Sequence, residues 1–347
     1  MQHAPPLQRP PAPVGAPAQR ILDSDATWLP GTGAGPREWD ILGVGDIDVD
    51  VFLKVDRLPA RDDKVLSSLL GEFPGGMTAN VCCAASRLGA RCGMVGLVGD
   101  DPYGATALAG LAAFDVDTSL VRVIRGGRTF FCIVLLDGSG EKALTAVNTD
   151  CRLPRRDIDP DVFARARLVH ILGDDGPFIE WAAGQARRRG ALVSVDMEAS
   201  TTERGVKALE SLLSRVDVVF LNEHGYRTGF GGEPLNALRT VLALGPKVAV
   251  ITRGSEGALV GSSSGVWEIP AYRLPVVDST GAGDCFVGAF LTCLLQGEKL
   301  AASGRFAGAA AALSLRSVGA RTGLPSQDEV TALLSDAHHS NYRQVAQ

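Results

Sequence analysis

Several common chemistries find no material in this chain. It carries only five histidines, and none of its seven cysteines lies in a CxxC pair, so the usual zinc-ligand spacings are missing. An odd number of unpatterned cysteines suits reduced, buried thiols and a cytoplasmic setting. Cys82 and Cys83 are adjacent, and two adjacent side chains are not expected to point inward together from one face of a strand or helix. No apolar run reaches the roughly 18 residues that cross a membrane. Residues 1–36 have no apolar core of the signal-peptide kind. The formal net charge is −5, so there is no basic footprint for nucleic acid, and Arg152, Arg155, Arg156 and Arg187 to Arg189 read as solvated surface. No GxxxxGK[ST] loop exists, which excludes the ordinary P-loop, and Gly43-Val44-Gly45 lacks the third glycine of a dinucleotide fingerprint.

The chain does have enough apolar material, 46% of its residues, for a large core. Its prolines are uneven: eight of nineteen fall before residue 37, in a Pro/Ala/Gly-rich stretch that reads as a disordered tail over 1–37. From residue 38 to about 335, strand-like and helix-like runs alternate. Ile41–Gly45, Gly93–Val98, Leu168–Leu172, Leu192–Asp196, Val218–Leu221 and Val248–Ile251 read as buried strands with helix candidates between them. This predicts an α/β fold, a three-layer α/β/α sandwich around a mostly parallel sheet. Two segments, about 48–74 and 126–148, instead alternate apolar and polar residues, with Asp137-Gly138-Ser139-Gly140 as a hairpin turn in the second. They read as antiparallel strands with one open face, suited to a small lid over a cleft. Residues 336–347, with His338-His339, read as a polar C-terminal tail.

The most informative run is Asp278-Ser279-Thr280-Gly281-Ala282-Gly283-Asp284-Cys285-Phe286. Val276-Val277 reads as the end of a buried strand and Phe286 to Leu291 as a packed helix. Strand, glycine turn, acid and helix thus follow in order. The first turn of a helix has unpaired N–H groups and a positive dipole end, so the glycine turn can cradle an anion. A carboxylate beside that anion is a poor ligand for it but a good acceptor for a hydroxyl proton, which suits phosphoryl transfer to an alcohol.

Taken together with Gly45–Asp50, Gly75-Gly76-Met77-Thr78-Ala79-Asn80, Gly99–Gly104 and Thr252-Arg253-Gly254-Ser255-Glu256-Gly257, this run resembles the ribokinase-like (PfkB) carbohydrate kinases from about Asp40 to Asp328. The resemblance implies a sugar kinase that uses ATP, magnesium and potassium. It assigns the general base to Asp284 and the anion hole to the backbone of Gly281, Ala282 and Gly283. It assigns sugar contacts to Asp48, Asp50, Gly75, Gly76 and Asn80, and the nucleotide to Asn222, Thr252, Gly254, Gly257 and Gly308. Asp278 and Thr280 match a monovalent-cation site, and the lid implies a homodimer contact. Two departures stand out. Where the family has N-x-x-E, this chain has Asn222-Glu223-His224-Gly225, which leaves Glu223 as the candidate magnesium ligand. Gly308 stands where some members place a histidine near the adenine, so adenine contacts are expected to be mainly apolar.

Smaller signals stay open at this level. Asp46, Asp48 and Asp50 alternate as if along one strand face, for sugar hydroxyls or a metal cluster. Lys64 and Arg128 read as lid surface or as partners of an anionic sugar group, and Asp174-Asp175 as a possible substrate contact. Gly319–Gly323 reads as a helix stop or as carbonyls closing the cation site. Phe52, Phe73 and Phe130-Phe131 are the aromatic residues that a nucleoside would need. A nucleoside kinase and a non-catalytic sugar or nucleotide sensor are the competing readings.

Overall fold

In the computed structural model the described residues are 37–138, 142–149, 151, 158–172, 176–336 and 343–346. The expected N-terminal tail through residue 36, the Ser139-Gly140 turn, Arg152 to Arg156, Asp174-Asp175 and His338-His339 lie outside them.

The aliphatic runs form strands, in chain order β1 (Trp39–Val44), β2 (Asp48–Val55), β3 (Ser67–Gly75), β4 (Cys92–Gly99), β5 (Asp117–Ile124), β6 (Phe131–Leu136), β7 (Lys142–Val147), β8 (Ala166–Ile171), β9 (Leu192–Met197), β10 (Val218–Asn222), β11 (Val248–Thr252), β12 (Ala258–Ser262), β13 (Gly265–Ile269) and β14 (Arg343–Ala346). Ten of them make one sheet in the order β14-β13-β12-β11-β10-β9-β8-β1-β4-β5. From β11 to β5 every pairing is parallel, and β12, β13 and β14 add an antiparallel edge.

Helices cover both faces. On one lie α1 (Met77–Arg87), α2 (Pro102–Ala112), α8 (Ala282–Leu295), α9 (Leu300–Ser314) and α10 (Gln327–Ser335). On the other lie α3 (Gly176–Arg188), α5 (Val206–Leu213) and α7 (Pro234–Ala243). The short α4 (Ala199–Thr202) and α6 (Glu223–Gly229) follow the ends of β9 and β10. Because strand side chains alternate, Ile41 enters one apolar core and Leu42 the other. Both are fully buried, which is why the central parallel strands read as predominantly apolar runs rather than as strict alternation. No helix among the described residues is long and apolar enough to cross a membrane.

The second sheet has the order β3-β2-β6-β7. Its hairpin pairs as expected, with Leu136 opposite Lys142, but its central pair β2–β6 is parallel, so the sheet is mixed rather than antiparallel throughout.

Four local expectations are corrected. Val276-Val277 is not a strand: the pair is 62% and 55% exposed. Pro275 removes a ladder donor just before it, and Val277 N and Asp278 N bond Leu315 O at the end of α9 instead. Cys82 and Cys83 are both fully buried, because α1 is packed on opposite sides: Cys82 Sγ donates towards Gly93 O of the sheet, and Cys83 Sγ towards Gly110 O of α2. Asp46 does not share a strand with Asp48 and Asp50; it lies in the crossing from β1 in the large sheet to β2 in the small one. Residues 343–346, read as tail, pair with β13 as an edge strand.

Candidate active site

The Asp278–Asp284 run ends in the N-terminus of α8. Gly281 sits at the N-cap with φ +75°, the left-handed region, and a Cβ there would lie 2.5 Å from Ala320 Cβ, so glycine is required both by conformation and by space. No side chain caps this helix, and a Cβ on Gly283 would meet only open space. The helix start at Gly281, Ala282 and Gly283 thus has no side-chain cap, with Ala282 N bonded back to Ser279 O at 3.4 Å, and a helix start without a side-chain cap is a place that can receive an anion.

Asp278 organises the loop. Its Oδ1 accepts from Thr280 N (3.0 Å) and Thr280 Oγ1 (2.8 Å), and its Oδ2 from Gly319 N (2.9 Å). The small sheet reaches the same loop, since Lys142 Nζ on β7 donates to Thr280 Oγ1 at 3.0 Å.

Asp284 stands in the first turn of α8, 8% exposed, and its Oδ2 accepts from Asn80 Nδ2 at 2.8 Å. Asn80 belongs to α1, which starts directly after β3 through Gly75-Gly76. Burial pushes the Asp284 carboxyl up to about 7; the Asn80 hydrogen bond opposes that rise, the charges of Glu198 and Asp50 add to it, and Arg321 opposes it.

Asp48 and Asp50 enter from β2, beside Gly75 of β3. A Cβ on Gly75 would lie 2.2 Å from Asp48 Oδ1 and 2.7 Å from Asp50 Oδ2, so the bare backbone makes room for both carboxylates. Burial raises Asp48 well above its ordinary value, with the charges of Asp50 and Asp46 adding to that, and raises Asp50 to about 6 against the pull of Arg321 and Lys142. Asp48, Asp50 and Cys132 on β6 converge, with one candidate ligand atom from each within 4.8 Å of the others. Asp48 Oδ1 is buried without a hydrogen-bond partner.

Sequence reasoning missed Arg321. It is 4% exposed; its Nε donates to Asn80 Oδ1 at 2.8 Å, its Nη2 donates to Gly75 O, and its Nη1 is buried without a partner. Gly319–Gly323 reads from sequence as a helix stop or as carbonyls closing a cation site, and neither reading uses the arginine side chain, although a cation framed by glycines is a signal in itself. Asp196 on β9 was also passed over. Burial, with the Asp284 charge next, raises its carboxyl to about 7, and its place near the carboxyl end of a parallel strand was the available clue. Lys142 carried no signal beyond being a lid lysine.

The nucleotide candidates lie along the next strand ends. Asn222 closes β10, caps α6 by accepting from Gly225 N at 2.7 Å, and pairs in register with Thr252 at the end of β11. Gly254 and Gly257 (φ +54° and +87°) form the turn into β12. The exit of β13 links that turn to α9: a Cβ on Gly257 would meet Ile269 O, and one on Gly308 would meet the Tyr272 ring and Ile269 Cγ2. Glu223 is not drawn into this group. It is half-exposed and holds Arg227 in an i,i+4 ion pair (2.8 Å). The place a glutamate would take in N-x-x-E is closed, since a Cβ on Gly225 would lie 2.6 Å from Met197 O.

Comparison with known proteins gives the family and the fold. The profile described as "pfkB family carbohydrate kinase" matches residues 40–327. The chain is 31% identical over 301 residues to a ribokinase of Bacillus subtilis (strain 168), covering 85% of this chain and 99% of that protein. It is 28% identical over 291 residues to a nucleoside kinase of Methanothermobacter thermautotrophicus, covering 84% of this chain and 94% of that one. The solved structure of Arabidopsis thaliana ribokinase complexed with ribose and ATP superposes with a TM-score of 0.74 at 22% identity, over 86% of this chain and 99% of that one, which shows the fold. On the profile match across most of its length, with the ribokinase-like fold beneath it, the chain belongs to the pfkB family of carbohydrate kinases.

Proposed function

We propose that this carbohydrate kinase transfers the γ-phosphate of ATP to a primary hydroxyl of a small sugar such as a ketose, pentose or sugar acid, with Asp284 as general base. The observation that carries the reading is the convergence of an uncapped helix N-terminus, Asp284, Asn80 and the Asp48/Asp50 pair at one place. The phosphates lie on the amides of Gly281, Ala282 and Gly283. The acceptor hydroxyl lies between Asp284, which takes its proton, and the β2 carboxylates, which hold its neighbours. Asn222, Thr252, the Gly254–Gly257 turn and Gly308 take the nucleotide. The small sheet acts as lid, with Gly75-Gly76 as its hinge and the Lys142–Thr280 bond across the gap, and excludes water that would compete as acceptor.

Two buried groups without partners, Asp48 Oδ1 and Arg321 Nη1, favour an oxygen-rich acceptor that can both donate and accept. Three of the four aromatic residues that a base would need pack on other rings. Phe52 is fully buried with Phe73 edge-on at 5.4 Å, and Phe131 packs on Tyr103 at 5.4 Å. Leu69 and Leu144 on the small sheet and Leu66 just before β3, 62–84% exposed, support a homodimer through the lid. A cytoplasmic location fits the absence of disulfides among the seven cysteines. The test is phosphorylation of a panel of sugars and nucleosides by the purified protein with ATP and magnesium. Transfer confined to nucleosides would replace the sugar reading.

The acid limb is a second expectation. A base must be unprotonated, and burial holds Asp284 near 7. kcat/KM therefore falls about tenfold per pH unit below roughly pH 7. A flat profile from pH 5 to 8 contradicts the assignment.

Ions give a third. Magnesium arrives with ATP and neutralises charge on the transferring phosphoryl group. Neither Asn222, bonded to Gly225 N, nor Glu223, paired with Arg227, is disposed as its dedicated ligand. Glu223→Gln is therefore expected to leave the magnesium dependence of the rate within about twofold, the scale of losing an exposed ion pair. A marked rise in the magnesium requirement would restore Glu223 as a ligand. The carboxylate of Asp278 with the Thr280 hydroxyl suits potassium, which would steady the loop, so potassium is expected to raise kcat with little effect on acceptor KM.

A further inference from the structure

Arg321, Asn80 and Asp284 form a buried chain with only one possible polarity. A guanidinium can only donate and an ionised carboxylate can only accept. Arg321 Nε donates to Asn80 Oδ1 at 2.8 Å, so the carboxamide cannot turn, and its Nδ2 is left to donate to Asp284 Oδ2 at 2.8 Å. All three side chains are less than a tenth exposed. Arg321 is itself anchored by its Nη2 on Gly75 O, at the junction of β3 and α1. Its loop is tied to Asp278 through Gly319 N (2.9 Å), so one short segment touches both the anion loop and the acceptor pocket.

We propose that Arg321 is a positioning residue for phosphoryl transfer: acting through Asn80, it occupies one oxygen of Asp284 and leaves the other to receive the acceptor proton. The inference rests on the reading of Asp284 as base. It assigns Arg321 no contact with the phosphate. A rotating Asn80 would present its carbonyl to Asp284, and two acceptors would then face each other, which the ion-pair arithmetic of a buried site penalises.

The groups facing Asp284 define what the test should read. Asn80 comes from α1, Asp48 and Asp50 from β2, Asp196 and Glu198 from the end of β9, and Arg321 from the loop before α10; Asn80 and Arg321 are those that favour the charged form. The experiment is carboxyl ¹³C NMR of the full chain labelled in aspartate, without nucleotide or metal, with the Asp284 signal assigned by its loss in Asp284→Asn. In Arg321→Gln the Asp284 midpoint is expected to rise by at least about one pH unit, a tenfold change in its proton affinity. In Arg321→Lys, which keeps the charge but cannot fork to Asn80 and Gly75 together, it rises by less. In both, kcat falls by at least about tenfold while KM for ATP stays within about twofold. A midpoint unmoved in the folded variants, or full recovery of kcat by lysine, overturns the proposal. A wild-type protein that phosphorylates no acceptor, yet shows the midpoint shifts, would refute the kinase site reading while leaving the Arg321–Asn80–Asp284 linkage standing.

Discussion

Asp284→Asn is expected to keep its fold and its ATP affinity and to lose about 10²–10⁴-fold in kcat, the range supplied by a positioned proton acceptor. Asparagine is close in shape and can still accept from Asn80 Nδ2, so the local hydrogen bond survives. It cannot take the acceptor proton. Stability gives a control with a definite sign. The folded carboxyl titrates near 7 against an ordinary value of 3.8, so the folded state holds a proton that the unfolded state has released between those values. Asp284 therefore costs stability increasingly as pH rises from about 4 to about 7, and the cost persists above that. The asparagine variant should melt no lower than the wild type at pH 8. Thermal melts and steady-state rates on the best acceptor check both parts. Near-normal turnover would remove Asp284 from the role of base.

Asp50→Ala is expected to weaken the acceptor by at least about tenfold in apparent affinity and to leave ATP binding within about twofold. A charged hydrogen bond to a hydroxyl is worth roughly 1.5–3 kcal/mol, and 1.4 kcal/mol is a factor of ten. The carboxylate lies against Gly75 in the crowded floor where β2 and β3 meet, with Lys142 and Arg321 as its counter-charges. Its titration near 6 adds a pH signature: the contact is strongest above that value, so acceptor KM should rise as pH falls through about 6 in the wild type and not in the variant. Equal losses for acceptor and ATP would point to a folding defect, and no loss would place the acceptor elsewhere.

The fold was legible because its signals are local and repetitive. A strand buried on both faces must be mostly apolar, and β1, β4, β8, β9, β10 and β11 are, with only scattered polar residues such as Asp40, His170, Asp196 and Asn222, so the parallel core could be read directly. The edges were harder. β5 exposes much of its length, and β12 and β13 are five residues each, so their patterns are weak. Val276-Val277 misled because β-branched residues look like a strand wherever they stand, and here Pro275 and the end of α9 decided otherwise.

The site divided along the same line. Gly281 and Asp284 announced themselves because a left-handed N-cap and an acid in the first helical turn are properties of consecutive residues. Arg321 did not, because its meaning depends on Asn80, 241 positions away in sequence, and on Gly75, 246 away. A single arginine between glycines becomes part of a site only when the fold closes the gap. Lys142 likewise gained its place through Thr280, in the loop before α8 and 138 positions away in sequence. Glu223 is the converse: spacing singled it out, while the geometry of α6 turned it towards Arg227.

The measurement that bears most directly on this account is mass-spectrometric detection of phosphorylated acceptor when the purified protein is given ATP, magnesium and each member of a sugar and nucleoside panel, with Asp284→Asn alongside. The account predicts that at least one free sugar gains a single phosphoryl group in step with ADP release, and that the variant makes less of it by at least about a hundredfold. No phosphorylated sugar from the wild type, or equal product from the two proteins, would contradict it.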